Sequence, residues 1–306
     1  MKILVTGVTG YVGAQLTPRL LRDGHDLVGM TRRSGTDPGG LGIPLLTGDA
    51  VSGQGLDRAF DGVEVAYYLI HSMEPSDDGA FSSRERAAAE NFAAAARDAG
   101  VKRVIYLGGP VPAGGEVSMH LGSRLAVEQV LLQATPCSVA FRASIVIGAR
   151  SRSFRFLVRL VERLPVLVLP GWREHRTAPV DERDAIELLA RAATSDQVCG
   201  QSLDIRGTEV VSYGDLIDRI RDLMLVDRPT IGLGHVTVTP IASRVAAIIA
   251  GEQHELIGPL MESLGTDLLP RDDRAADLLG VRLHSLDAAI ERSLRNWESV
   301  ESLRAR

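Results

Sequence analysis

The sequence has few of the features that would assign it to several protein classes. It contains two cysteines, Cys137 and Cys199, in 306 residues, and their spacing matches neither a metal site nor a redox motif. Its 34 basic residues are outnumbered by 39 acidic ones, so the net charge of -5 provides no basic surface for nucleic acid or an anionic membrane. We therefore expect small-molecule partners, no metal, and two inert core thiols in a reducing environment.

Long apolar runs are also missing. The most apolar late segment, 241–250, contains Arg244 and stops at Gly251, well short of the roughly 20 apolar residues that a membrane span needs. This pattern is typical of an amphipathic helix. Because Met1 and Lys2 lead directly into an apolar segment, we expect no signal peptide and a cytoplasmic location.

A glycine-rich turn follows the apolar segment 3–5. Gly7 allows a tight turn, Gly10 lets backbone approach a pyrophosphate, and Gly13 lets the following helix pack closely. The free amide groups at the start of that helix attract an anion. The pattern predicts a dinucleotide site, and the alternative is an ordinary strand-to-helix turn that happens to contain glycine.

The segments after this turn favour the dinucleotide site. A helix over 14–22, a stop at 23–24 and a second strand over 25–31 complete a βαβ unit. Arg32 and Arg33 follow that strand, where a carboxylate would select NAD and arginines can form forked hydrogen bonds to the 2′-phosphate of NADP. We predict NADP(H) as the cofactor. The alternative is a solvated pair of arginines at a strand end.

Further strands are predicted at 43–47, 64–70, 103–107 and 138–147, separated by helical or turn-rich segments such as the alanine-rich helix 87–99. This alternation predicts an α/β protein with a doubly wound parallel sheet. Ligands of such sheets lie beyond the carboxyl ends of the strands. We therefore expect the chemistry in the residues that follow each strand.

Several of these strand ends resemble the short-chain dehydrogenase/reductase superfamily, and the chain looks like an atypical, NmrA-like member. The resemblance covers roughly residues 1–210 and lies in the segments 6–13, 48–49, 68–72, 101–109 and 142–148. It implies a Rossmann fold of the extended or atypical type, with a smaller C-terminal region that caps the substrate.

The resemblance also implies a division of the chain. Residues 1–148 would form the NADP-binding core, completed by 177–206, and residues 149–176 and 207–306 would form the substrate-binding lid region. The candidate cofactor-binding residues are Thr6, Gly7, Thr9, Gly10, Tyr11, Val12, Gly13, Arg32, Arg33, Asp49, Ala50, Leu69, Ile70, His71, Gly108, Ser144, Ile145, Val146 and Ile147.

The chain departs from the family at its catalytic pattern, Tyr-x-x-Ser-Lys-x-x-x-Glu. Ser123 and Glu128 match that pattern, but His120 replaces the tyrosine and Arg124 replaces the lysine. Glycines at 108–109 stand where the family has a catalytic Ser or Thr. The usual proton donor is therefore absent.

His120, Ser123 and Arg124 remain the catalytic candidates. A guanidinium one helical turn from His120 favours neutral imidazole, which is a poor acid. His120 can still relay a proton or bind a carbonyl, and the alternative is that it only lines the pocket. Ser123 either orients the substrate or bonds to local backbone.

Two segments predict a large apolar ligand. Segment 154–169 is rich in Phe, Val and Leu, and 231–269 mixes apolar residues with glycine and proline, as a lid would. Met119 offers a polarizable contact for an aromatic ring. The alternative for these segments is an ordinary core or dimer helix.

Together these observations predict an NADP(H)-dependent ketoreductase, monomeric or homodimeric, that acts on a bulky aromatic ketone. A substrate with a phenol beside its carbonyl, as in aromatic polyketides, could supply its own proton. One alternative is an NADP(H)-binding sensor or scaffold without turnover, as in some NmrA-like proteins. A nucleotide-sugar epimerase or dehydratase is disfavoured, because those reactions on this fold use the absent tyrosine.

Overall fold

The computed structural model describes residues 1–32, 40–70, 80–111, 119–232 and 264–303. Its strands are β1 (Lys2–Thr6), β2 (Asp26–Thr31), β3 (Leu45–Thr47), β4 (Val65–Tyr68), β5 (Arg103–Gly108), β6 (Val139–Ala143), β7 (Val146–Ile147), β8 (Leu167–Leu169), β9 (Arg176–Thr177), β10 (Val180–Asp181), β11 (Ser202–Ile205), β12 (Val211–Ser212) and β13 (Thr230–Gly232). Its α-helices are α1 (Tyr11–Arg22), α2 (Leu56–Ala59), α3 (Ala80–Asp98), α4 (Met119–Leu132), α5 (Arg152–Arg163), α6 (Glu182–Ala192), α7 (Tyr213–Leu223), α8 (Ala275–Leu278) and α9 (Leu286–Glu298).

Seven strands form one sheet in the order β3-β2-β1-β4-β5-β6-β11, and every neighbouring pair is parallel. The chain enters the sheet at β1, winds outward through β2 and β3, and then returns to the other side of β1 with β4. Thr6 at the end of β1 is in register with Met30 on one side and Tyr68 on the other. This confirms the predicted doubly wound sheet, and its strand order reverses between β1 and β4.

Helices cover both faces of the sheet, as a parallel sheet requires. On one face, Tyr68 and Tyr106 pack with Phe92 of α3, and the rings of Tyr68 and Phe92 have centroids 5.0 Å apart. On the other face, Val5 and Tyr67 pack with residues of α1 and α6. Alternate residues of β4 therefore face opposite cores.

Several element boundaries differ from the sequence-based predictions, and three of the differences either divide an element or move its start by three residues or more. The strand predicted over 138–147 is two strands, because β7 leaves the main sheet and pairs with β10. Helix α1 begins at Tyr11 rather than residue 14, because Gly10 is extended (φ -76°, ψ 171°) and already accepts the amide of Ala14 at 2.9 Å. Helix α3 begins at Ala80, seven residues before the alanine-rich stretch that predicted it.

A second core is built from α5, α7, α9 and β8. The segment predicted to cover a substrate, 154–169, forms most of α5 and then β8 in this core. Trp297 of α9 is buried there, and the guanidinium carbons of Arg155 and Arg159 lie 4.2 and 4.8 Å from its ring centroid. Most of 231–269 lies outside the described residues.

One hydrogen-bonded pair joins the segment before α9 to α6. The amide of His284 donates to Oδ2 of Asp184 at 2.8 Å, and Nδ1 of His284 lies 2.6 Å from Oδ1. Asp184 is buried, so the pair satisfies a carboxylate that would otherwise be costly to bury.

The expectation of two free thiols is wrong, because Cys137 and Cys199 form a disulfide. Cys137 lies in the turn before β6 and Cys199 in the turn before β11. These strands are neighbours in the sheet, so their starting turns meet although the cysteines are 62 residues apart.

Among the described residues, no helix combines the length and the apolar composition that crossing a bilayer would require. The apolar segment 241–250 lies outside them.

Candidate active site and cofactor loop

The glycine-rich loop lies between the carboxyl ends of β1 and β4. Gly7 has a left-handed φ of +67°, and a Cβ there would meet the carbonyl oxygen of Leu69. A Cβ on Gly13 would meet the carbonyl oxygen of Gly7 and lie 2.7 Å from Cα of Val8. Backbone contacts therefore require glycine at both positions, for the turn and for close packing of α1, as the sequence predicted.

The first turn of α1 provides an anion site next to this loop. Gly10 caps the helix without a side-chain hydrogen bond, and the first turn contains no acidic residue. Amide groups at a helix start have no partner within the helix, and the helix dipole makes this end positive. The amides of Tyr11, Val12 and Gly13 thus suit a pyrophosphate.

Two predicted cofactor residues use their side chains inside the protein. Thr6 is fully buried, and its hydroxyl donates to the carbonyl oxygen of Tyr67 at 2.8 Å. The phenol of Tyr11 lies against Gly148 and Glu182, since a Cβ on Gly148 would meet the Tyr11 oxygen. Burial, and then the charge of Glu182, raise the pKa of Tyr11 far above its ordinary range, so Tyr11 is not an available acid.

The ends of β2 and β3 lie side by side, with Thr31 opposite Thr47. Arg32 follows β2 and is exposed. Asp49 follows β3, and its Oδ1 accepts the amide of Val51 at 2.8 Å in a local turn. The structure therefore brings Arg32 and Asp49 to the same edge of the sheet, while Arg33 lies outside the described residues.

The other candidate cofactor residues occupy the remaining strand ends. Leu69 is buried and Ile70 is partly buried after β4, Thr9 is exposed on the loop, Ala50 is buried after Asp49, and Gly108 is the last residue of β5. The hydroxyl of Ser144 donates to the carbonyl of Ala178 at 3.2 Å. Ile145 and Ile147 are buried in the second core, and Val146 lies in β7. His71 lies outside the described residues.

Ser123 points towards α3. Its hydroxyl donates to Oε2 of Glu85 at 2.7 Å, and both side chains are buried. His120 lies in the first turn of α4, and its side chain lies outside the described residues. The structure does bring Arg124 to the end of β5, since a Cβ on Gly109 would lie 3.5 Å from Cδ of Arg124.

The sequence analysis did not predict that Tyr106 packs against Gly108 and α4 at the end of β5. Its phenol donates to the carbonyl of Arg124 at 3.4 Å, and a Cβ on Gly108 would lie 2.9 Å from the phenol oxygen. Burial raises the pKa of Tyr106 above its ordinary range, although the charge of Arg124 opposes the shift. Tyr106 and Gly108 are two residues apart on a strand and therefore share a face, which is the sequence pattern that relates them.

Glu128, which matches the family pattern, anchors α4 to the sheet. It accepts two hydrogen bonds from Arg142 of β6, at 2.8 and 2.5 Å, and one from Ser202 of β11 at 2.7 Å. Asp204 of β11 is buried nearby and accepts the amide of Arg271. Burial raises the pKa of the Asp204 carboxyl, against the lowering effect of that amide and of Arg142.

The described part of the chain therefore contains a glycine cradle at the reversal point of a Rossmann sheet, and comparison with known proteins agrees. The NAD dependent epimerase/dehydratase family model matches residues 3–121. This segment is similar to that family. The match includes the glycine loop, the glycines at 108–109 and His120, and it ends two residues before Ser123, so it covers only the first part of the altered catalytic pattern. The finer NmrA-like assignment stays a prediction.

Two relatives are named as reductases. The chain is 28% identical over 189 residues to a ceramide reductase of Caulobacter vibrioides (strain NA1000 / CB15N), which covers 61% of this chain and 59% of that protein. It is 25% identical over 301 residues to a 2-alkyl-3-oxoalkanoate reductase of Stenotrophomonas maltophilia (strain K279a), covering 89% and 87%. The chain thus spans about three fifths of the first relative.

A solved structure supports the fold. The UDP-glucuronic acid 4-epimerase of Bacillus cereus in complex with NAD matches with a TM-score of 0.72 and 17% identity, covering 98% of this chain and 97% of that one. At this identity the likeness shows the Rossmann-type architecture of the sheet and its helices.

Proposed function

We propose that the protein is an NADP(H)-dependent ketoreductase that reduces a carbonyl of a bulky, mainly apolar substrate. The observation that carries this proposal is the glycine cradle at the point where the strand order reverses, with Arg32 at the end of β2. The two relatives named as reductases support a redox reaction rather than epimerisation.

The described residues fit a dinucleotide. The amides of Tyr11, Val12 and Gly13 would bind the pyrophosphate, and Arg32 with Arg33 would bind the 2′-phosphate of NADP. Further candidate contacts are Asp49 and Ala50 at the adenine end, Leu69, Ile70 and His71 along the ribose, and Gly108 and 144–147 near the nicotinamide. Residues 149–176 and 207–306 would cover the substrate.

When bound, NADPH supplies a hydride to a carbonyl carbon. The active site must orient the carbonyl, and a general acid must donate a proton to the carbonyl oxygen. The described phenols at this end of the sheet, Tyr11, Tyr68 and Tyr106, do not suit that task, because burial raises the pKa of each of them. The hydroxyl of Ser123 already donates to Glu85. His120 and the substrate itself are the remaining donors that we consider.

Loss of a side-chain acid is compatible with turnover. A positioned general acid contributes about 10²- to 10⁴-fold in rate, whereas orientation of the reactants can contribute roughly 7–11 kcal/mol. We propose that the substrate is an aromatic ketone of the angucyclinone-like polyketide type found in antibiotic biosynthesis, with a phenol hydrogen-bonded to the carbonyl. That phenol would donate the proton as hydride arrives.

The decisive experiment follows NADPH oxidation with three ketones. These are an aromatic ketone with a phenol beside the carbonyl, its O-methylated counterpart, and a 2-alkyl-3-oxoalkanoate. Turnover confined to the phenol-bearing ketone supports the full proposal, and turnover confined to the alkyl ketone overturns the aromatic substrate class. Gly13→Ala is the control, because its Cβ would meet backbone atoms of the loop and remove NADPH binding.

A second candidate function is an NADP(H)-binding sensor or scaffold without turnover. The observation that favours it is the glycine at 109, where the family has a catalytic Ser or Thr. A Cβ there would lie 3.5 Å from Cδ of Arg124, which is one turn of α4 after the replaced tyrosine. Tight NADPH binding with no oxidation of any of the three ketones would support the sensor and overturn the ketoreductase.

A further inference from the structure

The disulfide between Cys137 and Cys199 lies next to the amino ends of β6 and β11. The glycine loop follows the carboxyl end of β1, on the opposite side of the sheet. Both cysteines are partly exposed. Arg103, the first residue of β5, places its guanidinium against the sulfurs. Its Nε and Nη2 lie 3.2 and 3.0 Å from Sγ of Cys137, and Nη2 lies 3.6 Å from Sγ of Cys199.

Arg103 is held in this position by other contacts. Its Nη2 donates to Oδ1 of Asp196 at 2.7 Å, and Nη1 donates to the carbonyl of Ala192 at 2.5 Å. Only 7% of its side chain is exposed. A cation fixed in this way stabilises negative charge on the sulfur that it contacts most closely, and that sulfur is Cys137.

The other sulfur has a different electrostatic neighbour. Oδ1 of Asp196 lies 3.9 Å from Sγ of Cys199, and the Asp196 carboxylate is largely exposed. A carboxylate disfavours a second negative charge beside it. The charges around the disulfide are therefore asymmetric, because the guanidinium of Arg103 lies at 3.0 and 3.2 Å from Cys137 but at 3.6 Å from Cys199, where the Asp196 carboxylate is also close.

We propose that this disulfide is a redox-active site for low-molecular-weight thiols, cleaved by attack at Cys199 with Cys137 leaving as a thiolate beside Arg103. In the first step, an external thiolate forms a bond to Sγ of Cys199 and the Cys137–Cys199 bond breaks, with its electron pair remaining on Cys137. In the second step, another external thiolate attacks the external sulfur and releases Cys199, which takes a proton from water. Two external thiols are oxidised to one disulfide, and the protein disulfide is reduced to two thiols.

This site is independent of the proposed ketoreductase activity, because it lies at the amino ends of the strands, whereas the glycine loop lies at their carboxyl ends. Reduction would release the connection between the turns that precede β6 and β11. NADPH binding to the reduced protein is therefore expected to stay within about twofold of the oxidised protein.

The first test identifies the attacked sulfur. The folded protein is mixed briefly with reduced glutathione, quenched in acid with N-ethylmaleimide, digested and analysed by mass spectrometry. We expect glutathione on Cys199 and the maleimide on Cys137. Glutathione mainly on Cys137, or a disulfide that reacts only after the protein is unfolded, would overturn the proposal.

The second test compares the two sulfurs as single thiols. Alkylation by iodoacetamide requires the thiolate, so its rate against pH reports thiolate formation. Cys137 in the Cys199→Ser variant should reach its maximal rate at lower pH than Cys199 in the Cys137→Ser variant, and react about tenfold faster near neutral pH. Identical profiles would contradict the asymmetry.

Two further variants assign the cause. Arg103→Gln in the Cys199→Ser background should move the Cys137 profile to higher pH. Asp196→Asn in the Cys137→Ser background should move the Cys199 profile to lower pH. Its amide oxygen can still accept from Nη2 of Arg103, and urea unfolding checks that the variant folds. An Asp196→Asn profile that does not move would remove the electrostatic argument at Cys199, even if Arg103→Gln fails to fold.

Discussion

The hydroxyl of Ser123 lies 2.7 Å from Oε2 of Glu85, and the two residues are only 6% and 7% exposed. Ser123 matches the serine of the family's catalytic pattern, yet its hydrogen bond joins α4 to α3. The serine that matches the catalytic pattern therefore makes a contact between two helices.

We expect Ser123→Ala to lower the free energy of unfolding by about 1–3 kcal/mol, because a buried carboxylate loses a donor. NADPH affinity should be unchanged. Urea denaturation and NADPH titration measure the two effects. If the variant keeps full stability and loses turnover with the preferred ketone, Ser123 acts on the substrate instead.

Arg32 and Arg33 are expected to select the phosphorylated cofactor. Replacing both with Ala should weaken NADPH by at least tenfold, about 1.4 kcal/mol, and leave NADH nearly unchanged, because only NADPH has the 2′-phosphate. Fluorescence titration with each cofactor gives the ratio of the dissociation constants for NADPH and NADH. Arg22→Ala, in the last turn of α1, is a control for general loss of positive charge. Equal weakening of NADPH and NADH would refute NADP selection.

The two glycines at the end of β5 should respond differently to substitution. Gly109→Ser should fold normally, because its Cβ would lie 3.4 Å from Leu121 and 3.5 Å from Arg124, which are ordinary contacts. Gly108→Ser should lower the melting temperature, because its Cβ would lie 2.7 Å from the ring of Tyr106. Calorimetry of the matched pair tests this, and equal melting temperatures would contradict the packing described here.

His120→Ala should retain substantial turnover if the substrate supplies its own proton. The rate of NADPH oxidation with the phenol-bearing ketone measures this, and O-methylation of that ketone should abolish turnover in both proteins. An inactive variant that still binds NADPH and the ketone would instead identify His120 as the proton donor.

Asp204 should make stability depend on pH. Burial raises the pKa of its carboxyl in the folded protein, so its contribution to stability is complete below the unfolded pKa of about 3.9 and is lost as pH rises through the raised value. Asp204→Asn cannot ionise and should lose less stability between pH 4 and 7 than the parent. Urea unfolding at several pH values in this range gives the free energy of unfolding of both proteins. If it changes with pH in the same way for both, Asp204 does not contribute to the pH dependence.

Local patterns predicted the parts of the fold that depend on nearby residues. The βαβ unit, the roles of Gly7 and Gly13 and the alternating strands all follow from turn chemistry and periodicity within short windows. The split between β6 and β7 did not, because it is determined by the pairing of Val146 with Val180, which lies in a later part of the chain.

The sequence also could not predict which side chains of the candidate site point into it. A helix position can face the substrate or a neighbouring helix, and the identity of Ser123 does not show which. The disulfide was missed for a similar reason, since it depends on β6 and β11 being adjacent in the sheet.

Trp297 fills a core whose other walls, α5 and α7, come much earlier in the chain. During synthesis, the part of these helices that α9 covers stays exposed until α9 leaves the ribosome. The first six strands of the sheet are all made before α5 and can pair without it. Assembly is therefore ordered in time, with the first six strands of the sheet able to pair early and the surface that α9 covers exposed to aggregation until that helix arrives.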